Sequence, residues 1–478
     1  MDPSHMLLRT LTRRHLLAGC GIGVGNMALN SLLTGQLNTG NTSIENGPLH
    51  PRLPHFPAKA KAVIHLLMAG APSQLDLFDP KPRLSKLEGK PLPKSIIGDQ
   101  RYAFIQQDAA VLGPRFPFRR HGESGAVLGS PLHHLGKVAD RLCIVKSMHT
   151  DQFNHAPAQL LMNTGFPQPG RPSLGSWTLY GLGAETNDLP AFVVMSTGSG
   201  VSGGNALWSS GFMPTLYTGT RFRNGRDPIL NVSAPGGFDE ELQRDTYSLV
   251  SELNRTRHQV IRDPEIETRI AAFEMAARLQ VSAPELMDLK SEGQATLDSY
   301  GCNPDKPSFA RACLLARRMV ERGVRFINII HEGWDAHTDV AGNTRSNCKA
   351  TDRGTAALIA DLAQRGLLDE TLVIWGGEFG RTPMVETNPA LGRKQGRDHH
   401  PQAFTMFMAG GGVRAGYTHG ETDEFGFHIV KDPVHVYDLQ ATILHSMGFD
   451  HERLTYQTAG RDYRLTDVHG KVIPALLA

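Results

Sequence analysis

The sequence predicts an α/β protein: one large, mostly parallel sheet sandwiched between layers of helices. Three observations lead there. Several short apolar runs lack the alternation of a half-exposed strand, as strands covered on both faces do. Segments of helical character separate these runs at strand–helix–strand spacing. Asp, Glu and His residues follow the ends of the runs directly, where open α/β sheets bind ligands.

The elements follow in chain order. "LTRRHLLAGCGIGVGNMALNSLL" carries Arg13-Arg14 ahead of a weakly apolar stretch containing Gly and Asn. It is too polar to span a membrane comfortably and reads as a twin-arginine export signal, so residues 1–35 are set aside from the fold. The signal implies a periplasmic or extracellular protein. Residues 36–57, polar and rich in Pro and Gly, read as a linker, and one domain is expected over 58–478. "KAVIHLLMAG" at 61–70 and "RLCIVKSM" at 141–148 fit buried strands. Pro157 to Asn163 is helical in character and closes on Thr164-Gly165. The chain from 236 to 322 is mostly helical. Its last segment, "PSFARACLLARRMVERG", sets Phe309, Cys313, Ala316 and Val320 on one face and stops at Gly323. "VRFINII" is a strand, "TDRGTAALIADLAQRG" a helix and "TLVIWGG" another strand. "AGGGVRAG" at 409–416 lacks the Lys-Ser/Thr ending of a phosphate loop and reads as a tight turn.

Composition narrows the function. The 478 residues carry a formal net charge of +2. No dense Lys/Arg run lies beyond the N-terminus, so no nucleic-acid partner is expected. No later segment reaches the roughly 18 consecutive apolar residues of a spanning helix, so no transmembrane segment is expected in the mature chain. None of the five cysteines forms a C-x-x-C pair, which leaves neither a disulfide framework nor a zinc ribbon.

Candidate site residues come from the segments that follow strands. After 61–70 stand Ser73, Gln74 and Asp76, and after 141–148 stand His149, Asp151, Asn154 and His155. After 324–330 come His331, Glu332, Asp335 and His337, and after 371–375 come Glu378 and Arg381. A later loop, "GRDHHP", supplies Asp398, His399 and His400, of which one or two can face a single site. This convergence is that of a metal centre. In "GWDAHTD", Asp335 and His337 are two residues apart and can reach one ion; the alternative is a polar turn with an Asp cap. In "GGEFGRTP", Glu378 follows a buried strand, and Arg381 suits a phosphate or sulfate group or else a structural pair with Glu378.

These residues carry a resemblance. "HAPAQLLMNTG", 155–165, resembles the sulfatase signature Cys-x-Pro-Ser-Arg followed by Thr-Gly. His155 stands where sulfatases carry the Cys or Ser that becomes formylglycine and alkaline phosphatases their nucleophilic Ser. Gln159 stands where sulfatases have Arg. "TLVIWGGEFG" resembles the sulfatase strand ending in Ser-Asp-His-Gly, with Glu378 in place of the metal-binding Asp and Phe379 in place of the His. "VYDLQATILHSMGFD" resembles the late sulfatase Asp-Leu-x-Pro-Thr-Leu-Leu segment. "MAGAPSQLDLFDPKP", "GRPSLGSW", "GWDAHTD", "GEFGRTP", "GRDHHP" and "TDEFG" are similar to the recurrent motifs of the twin-arginine-exported family of domain of unknown function 1501. The resemblance implies an alkaline phosphatase/sulfatase-like three-layer sandwich.

A histidine at position 155 then has three readings: a metal ligand, a nucleophile that becomes phosphorylated, or the mark of a site that binds without turnover. The ligand reading is favoured, because imidazole commonly binds metals and its neighbours supply carboxylates. Asp151 or Asn154 is the expected orienting partner. The expected ligand set is Asp76, His155, Asp335, His337, Glu378 and His399, with His155 and Arg381 as catalytic candidates. Such a mixed shell favours zinc or manganese, with calcium a further candidate. The expected function is metal-dependent hydrolysis of sulfate or phosphate esters, with a sulfated polysaccharide among the candidate substrates. The alternative is a non-catalytic protein that binds anionic polysaccharide or a cell-surface partner.

Overall fold

The apolar runs become strands of one nine-stranded sheet. The computed structural model describes residues 49–98, 105–106, 108–198, 200–225, 229, 240–261, 264–388 and 391–478. The expected export signal, and the linker as far as residue 48, lie outside them. Residues 49–57 are held on the domain: Arg52 N donates to Leu182 O (2.9 Å) and Phe56 N to Gly448 O (3.2 Å).

β1 (Ala62–Ala69) is buried along its whole length, as expected for a run covered on both faces. It leads into a short helix, α1 (Gln74–Leu77). β2 (Leu142–His149) is followed by α2 (His155–Thr164) and α3 (Leu174–Leu182). α2 ends at Gly165, whose φ of +66° suits glycine; a side chain there would also strike Leu465 O. β3 (Phe192–Thr197) and β4 (Thr220–Phe222) lead to the helical pair α4 (Glu240–Ile261) and α5 (Pro264–Met287). α6 (Phe309–Glu321), capped by Ser308, precedes β5 (Phe326–Glu332). α7 (Val340–Gln364) starts eleven residues before the predicted segment, because Asp339 caps it through Gly342 N.

β6 (Thr371–Gly376) is followed by β7 (Gly380–Asn388) and β8 (Arg393–His400), an antiparallel pair outside the main sheet. "GRDHHP", expected as a loop, therefore belongs largely to a strand. β9 (Phe404–Ala409), β10 (Tyr417–His419), β11 (Val434–His435) and α8 (Val436–Ser446) complete these elements.

The order in the main sheet is β10-β2-β9-β6-β1-β5-β3-β4, with β11 pairing β2. Only β9 among these strands runs against the rest. Two buried cores cover the faces. One contains Ile64, Ile327 and Val373 with α6 and α7; the other contains Val63, Phe326 and Ile374 with α2, α3 and α8. The carboxyl ends of β1, β2, β5 and β6 thus open on one edge.

Candidate metal centre

Four loops and the β7–β8 hairpin meet at that edge. His155 is the first residue of α2, Asp335 and His337 follow β5, and His399 comes from β8. One ligand atom from each of these four residues lies within 4.8 Å of every other. The centre of the group is Asp335 Oδ1. The Nε2 atoms of His155, His337 and His399 lie 3.2, 3.0 and 3.4 Å from it. The Asp335 side chain is 43 % exposed and marks the open side of the group.

The second nitrogen of each ring faces an acceptor. His155 Nδ1 is 2.7 Å from Glu378 Oε1, His337 Nδ1 contacts Glu386 Oε2, and His399 Nδ1 is 2.7 Å from Phe153 O. A carbonyl only accepts, so His399 Nδ1 carries the proton, and the carboxylates favour the same tautomer in the other two rings. In the neutral rings, three Nε2 lone pairs then point toward one place. His337 Nε2 and His399 Nε2 are only 3.0 Å apart. His155 Nε2 is buried with no hydrogen-bond partner among the described residues, its approach to Asp335 lacking hydrogen-bond geometry. A cation bound to three nitrogens and one carboxylate oxygen resolves this arrangement, so these residues fit a metal ion.

Without a metal, protons take over part of that role. Burial lowers the pKa of His155, but Asp335 and Glu378 outweigh it and push it up to about 9. His337 is raised against burial by Asp335 and Glu386. Burial pulls His399 down to about 4. Partial desolvation opposes ionisation of Asp335, yet the three histidines and Arg381 hold its carboxyl well below the usual carboxylate range.

The other expected site residues lie outside the inner group. Glu378, expected as a ligand, stands behind His155. It is fully buried, and its carboxylate accepts from Gly70 N (3.0 Å), Gln159 Nε2 (2.9 Å) and His155. It, rather than Asp151 or Asn154, orients the ring; Asp151 pairs with His435 instead (3.2 Å). Asp76, also expected as a ligand, is in a buried ion pair with Arg397 (2.9 Å) and accepts from Ser73 Oγ and Arg115 N. Arg381, expected to meet an anionic substrate, is fully buried: it binds Asp335 (2.6 Å) and the carbonyls of Gly70, Ala71 and Arg397. Phe379 packs against the rings of His155 and His399, with centroids 5.0 and 4.6 Å apart.

Sequence reasoning missed Glu386, which is fully buried between His337 and Arg393. It also missed the backbone groups of Gly70 and Phe153. Gly70 has a φ of +107°, and a Cβ there would lie 2.5 Å from Asp335 N, so only glycine lets β1 approach the Asp335 loop this closely. Ala71 is held in the left-handed region at φ +67°, its carbonyl bound by Arg381.

Fold and site together define an α/β protein with a histidine-rich cluster, suited to a metal ion, at the carboxyl edge of a large, mostly parallel sheet. Residues 60–477 match the family described as "Protein of unknown function (DUF1501)", and the chain belongs to it. No curated protein matches the sequence. Among solved structures, the chain is similar to the PsFucS1 sulfatase from Pseudoalteromonas sp., at 12% identity over 88% of this chain and 72% of that one (TM-score 0.39). It is similar to the lipoteichoic acid synthase LtaP from Listeria monocytogenes, at 10% identity over 85% and 78% of the two chains (TM-score 0.35). A third is a protein in the alkaline phosphatase superfamily from Vibrio parahaemolyticus, at 10% identity over 84% and 70% (TM-score 0.33).

Proposed function

We propose that the protein is a metal-dependent hydrolase of sulfate or phosphate esters that works outside the cytoplasm after twin-arginine export. The observation that carries this reading is the convergence of three imidazole Nε2 atoms on Asp335 Oδ1, with each ring fixed from behind at Nδ1. A donor set this rich in nitrogen suits zinc, then manganese, better than calcium. Bound there, zinc would supply Lewis acidity toward an ester oxygen and would make water more acidic.

The chain's own residues have distinct tasks. His155, His337, His399 and Asp335 would hold the ion. Glu378 and Glu386 orient two of the rings and raise their basicity. Arg381 keeps Asp335 ionised, and Phe379 forms an apolar wall against two of the rings. With Nδ1 of His155 on Glu378 and Nε2 given to the ion, neither nitrogen would be left to attack a substrate. A cleft of about 470 Å³ is lined by His149, Thr150, Asp151 and Gln402. Thr150 N donates to Pro401 O (2.9 Å) at that cleft, and the same two segments meet again at Phe153 and His399.

The test is to strip the purified protein with a chelator, reload it with zinc, manganese or calcium, and assay p-nitrophenyl sulfate and phosphate. The expected result is one tightly held ion per chain and turnover restored by zinc or manganese. A protein that retains no ion and turns over neither ester refutes the proposal.

A further inference from the structure

Gln159 joins two parts of the carboxyl edge that are far apart in sequence. It lies one turn into α2 and is buried. Its side-chain oxygen accepts from Gly203 N (2.9 Å), and its amide nitrogen donates to Glu378 Oε1 (2.9 Å). The same Glu378 oxygen holds His155 Nδ1 at 2.7 Å. An unbroken path of three hydrogen bonds therefore runs from the backbone of the Gly200–Gly204 segment to a ring of the metal centre. The segment follows β3, and Glu332 at the end of β5 fixes its other end by accepting from Gly200 N.

The path depends on the chemistry of an amide. A carboxylate at 159 still accepts from Gly203 N but cannot donate to Glu378. An aliphatic chain of similar size does neither. Gly70 N and Gln159 Nε2 both donate to Glu378 and hold its carboxylate where it accepts from His155, and a metal ligand depends on the partner that orients it.

We propose that Gln159 is a positioning residue that couples the seating of the Gly200–Gly204 segment to the metal affinity of the histidine cluster. The inference rests on the metal-centre reading and adds to it a regulatory link between the segment and the ion. Coupling of this kind is reciprocal. If a seated segment strengthens zinc binding, zinc strengthens the seating of the segment by the same factor.

The experiment measures zinc affinity by calorimetry and amide exchange of the peptide 200–208 by mass spectrometry. Both are done on wild type, Gln159→Leu, Gln159→Glu and a control, Gln440→Leu. Gln440 binds the carbonyls of Leu161 and Met162 in α2 and has no part in the path. In wild type, zinc is expected to slow exchange in 200–208. Gln159→Leu is expected to weaken zinc binding about 10- to 100-fold, the usual effect of losing an outer partner, and to remove the effect of zinc on exchange. Gln159→Glu is expected to weaken zinc binding while keeping the peptide protected. Gln440→Leu is expected to lower the Tm with zinc affinity within about twofold of wild type, which separates a positioning role from general damage to the helix. Zinc affinity of Gln159→Leu within twofold of wild type, with exchange still responding to zinc, overturns the coupling and leaves the metal centre standing. A wild type that binds no zinc overturns both.

Discussion

Zinc binding to the metal-free protein should displace protons, and the structure says from where and over what range. His155 sits at about 9 in the metal-free fold against an ordinary 6.5, because burial is outweighed by Asp335 and Glu378. At pH 7 its ring is charged, and a ligating imidazole must be neutral, so binding releases a proton. Each proton displaced makes affinity rise about tenfold per pH unit up to pH 9, and His337, raised by Asp335 and Glu386, steepens the slope. The metal-free fold should respond the opposite way. A raised pKa means that stabilisation is fully present below pH 6.5 and lost as pH climbs through 9. The rise from 6.5 to about 9 corresponds to about 3 kcal/mol. His399, lowered to about 4, contributes stability above pH 6.5 that is lost as pH falls. Calorimetry in two buffers of different ionisation enthalpy counts the protons, and denaturant titration of the stripped protein from pH 6 to 9 measures the stability. Zinc affinity that stays flat from pH 6.5 to 9, with no proton released, would refute the assignment of His155 as a ligand.

Three further outcomes are expected. His155→Ala should lower zinc affinity by more than about 100-fold, exceeding the loss of an orienting partner, and turnover should fall with it; full zinc content with a phosphorylated histidine trapped in wild type would restore the nucleophile reading. Asp76→Ala leaves Arg397 buried without its carboxylate, so denaturant titration should show a loss of about 3–5 kcal/mol while the variant that folds keeps its zinc; loss of zinc from folded Asp76→Ala would return Asp76 to the ligand set. Replacing Arg13 and Arg14 with Lys should hold the protein in the cytoplasm, as fractionation would show, and normal export of that variant would end the twin-arginine reading.

Much of the main sheet is legible in the sequence because its strands are apolar on both faces. "KAVIHLLMAG" and "TLVIWGG" read directly as β1 and β6. The four inner residues are legible for a related reason: three stand in motifs just after an apolar strand, and His399 stands in a dense polar run. The β7–β8 hairpin is not legible. "GRTPMVETN" and "RKQGRDHH" carry buried Arg381, Glu386, Arg397 and Asp398 in place of an apolar face, so ion pairs fill positions where pattern reading looks for Val or Ile. Position along the chain also misleads. Glu378 and Asp76 both follow strands as ligands should, but only the fold shows that three donors enclose Glu378 and that Arg397 claims Asp76.

The β7–β8 hairpin supplies His399 and the Glu386 that orients His337; it bridges to Val111 through Met384 but contributes no strand to the main sheet. The centre is therefore divided between the carboxyl ends of the main-sheet strands and a separate hairpin. Two buried arginines join them: Arg381 binds the carbonyls of Gly70 and Ala71 after β1, and Arg397 pairs with Asp76. The placing of His399, and of the carboxylate behind His337, thus rests on charged and polar anchors, where the main sheet itself rests on apolar burial.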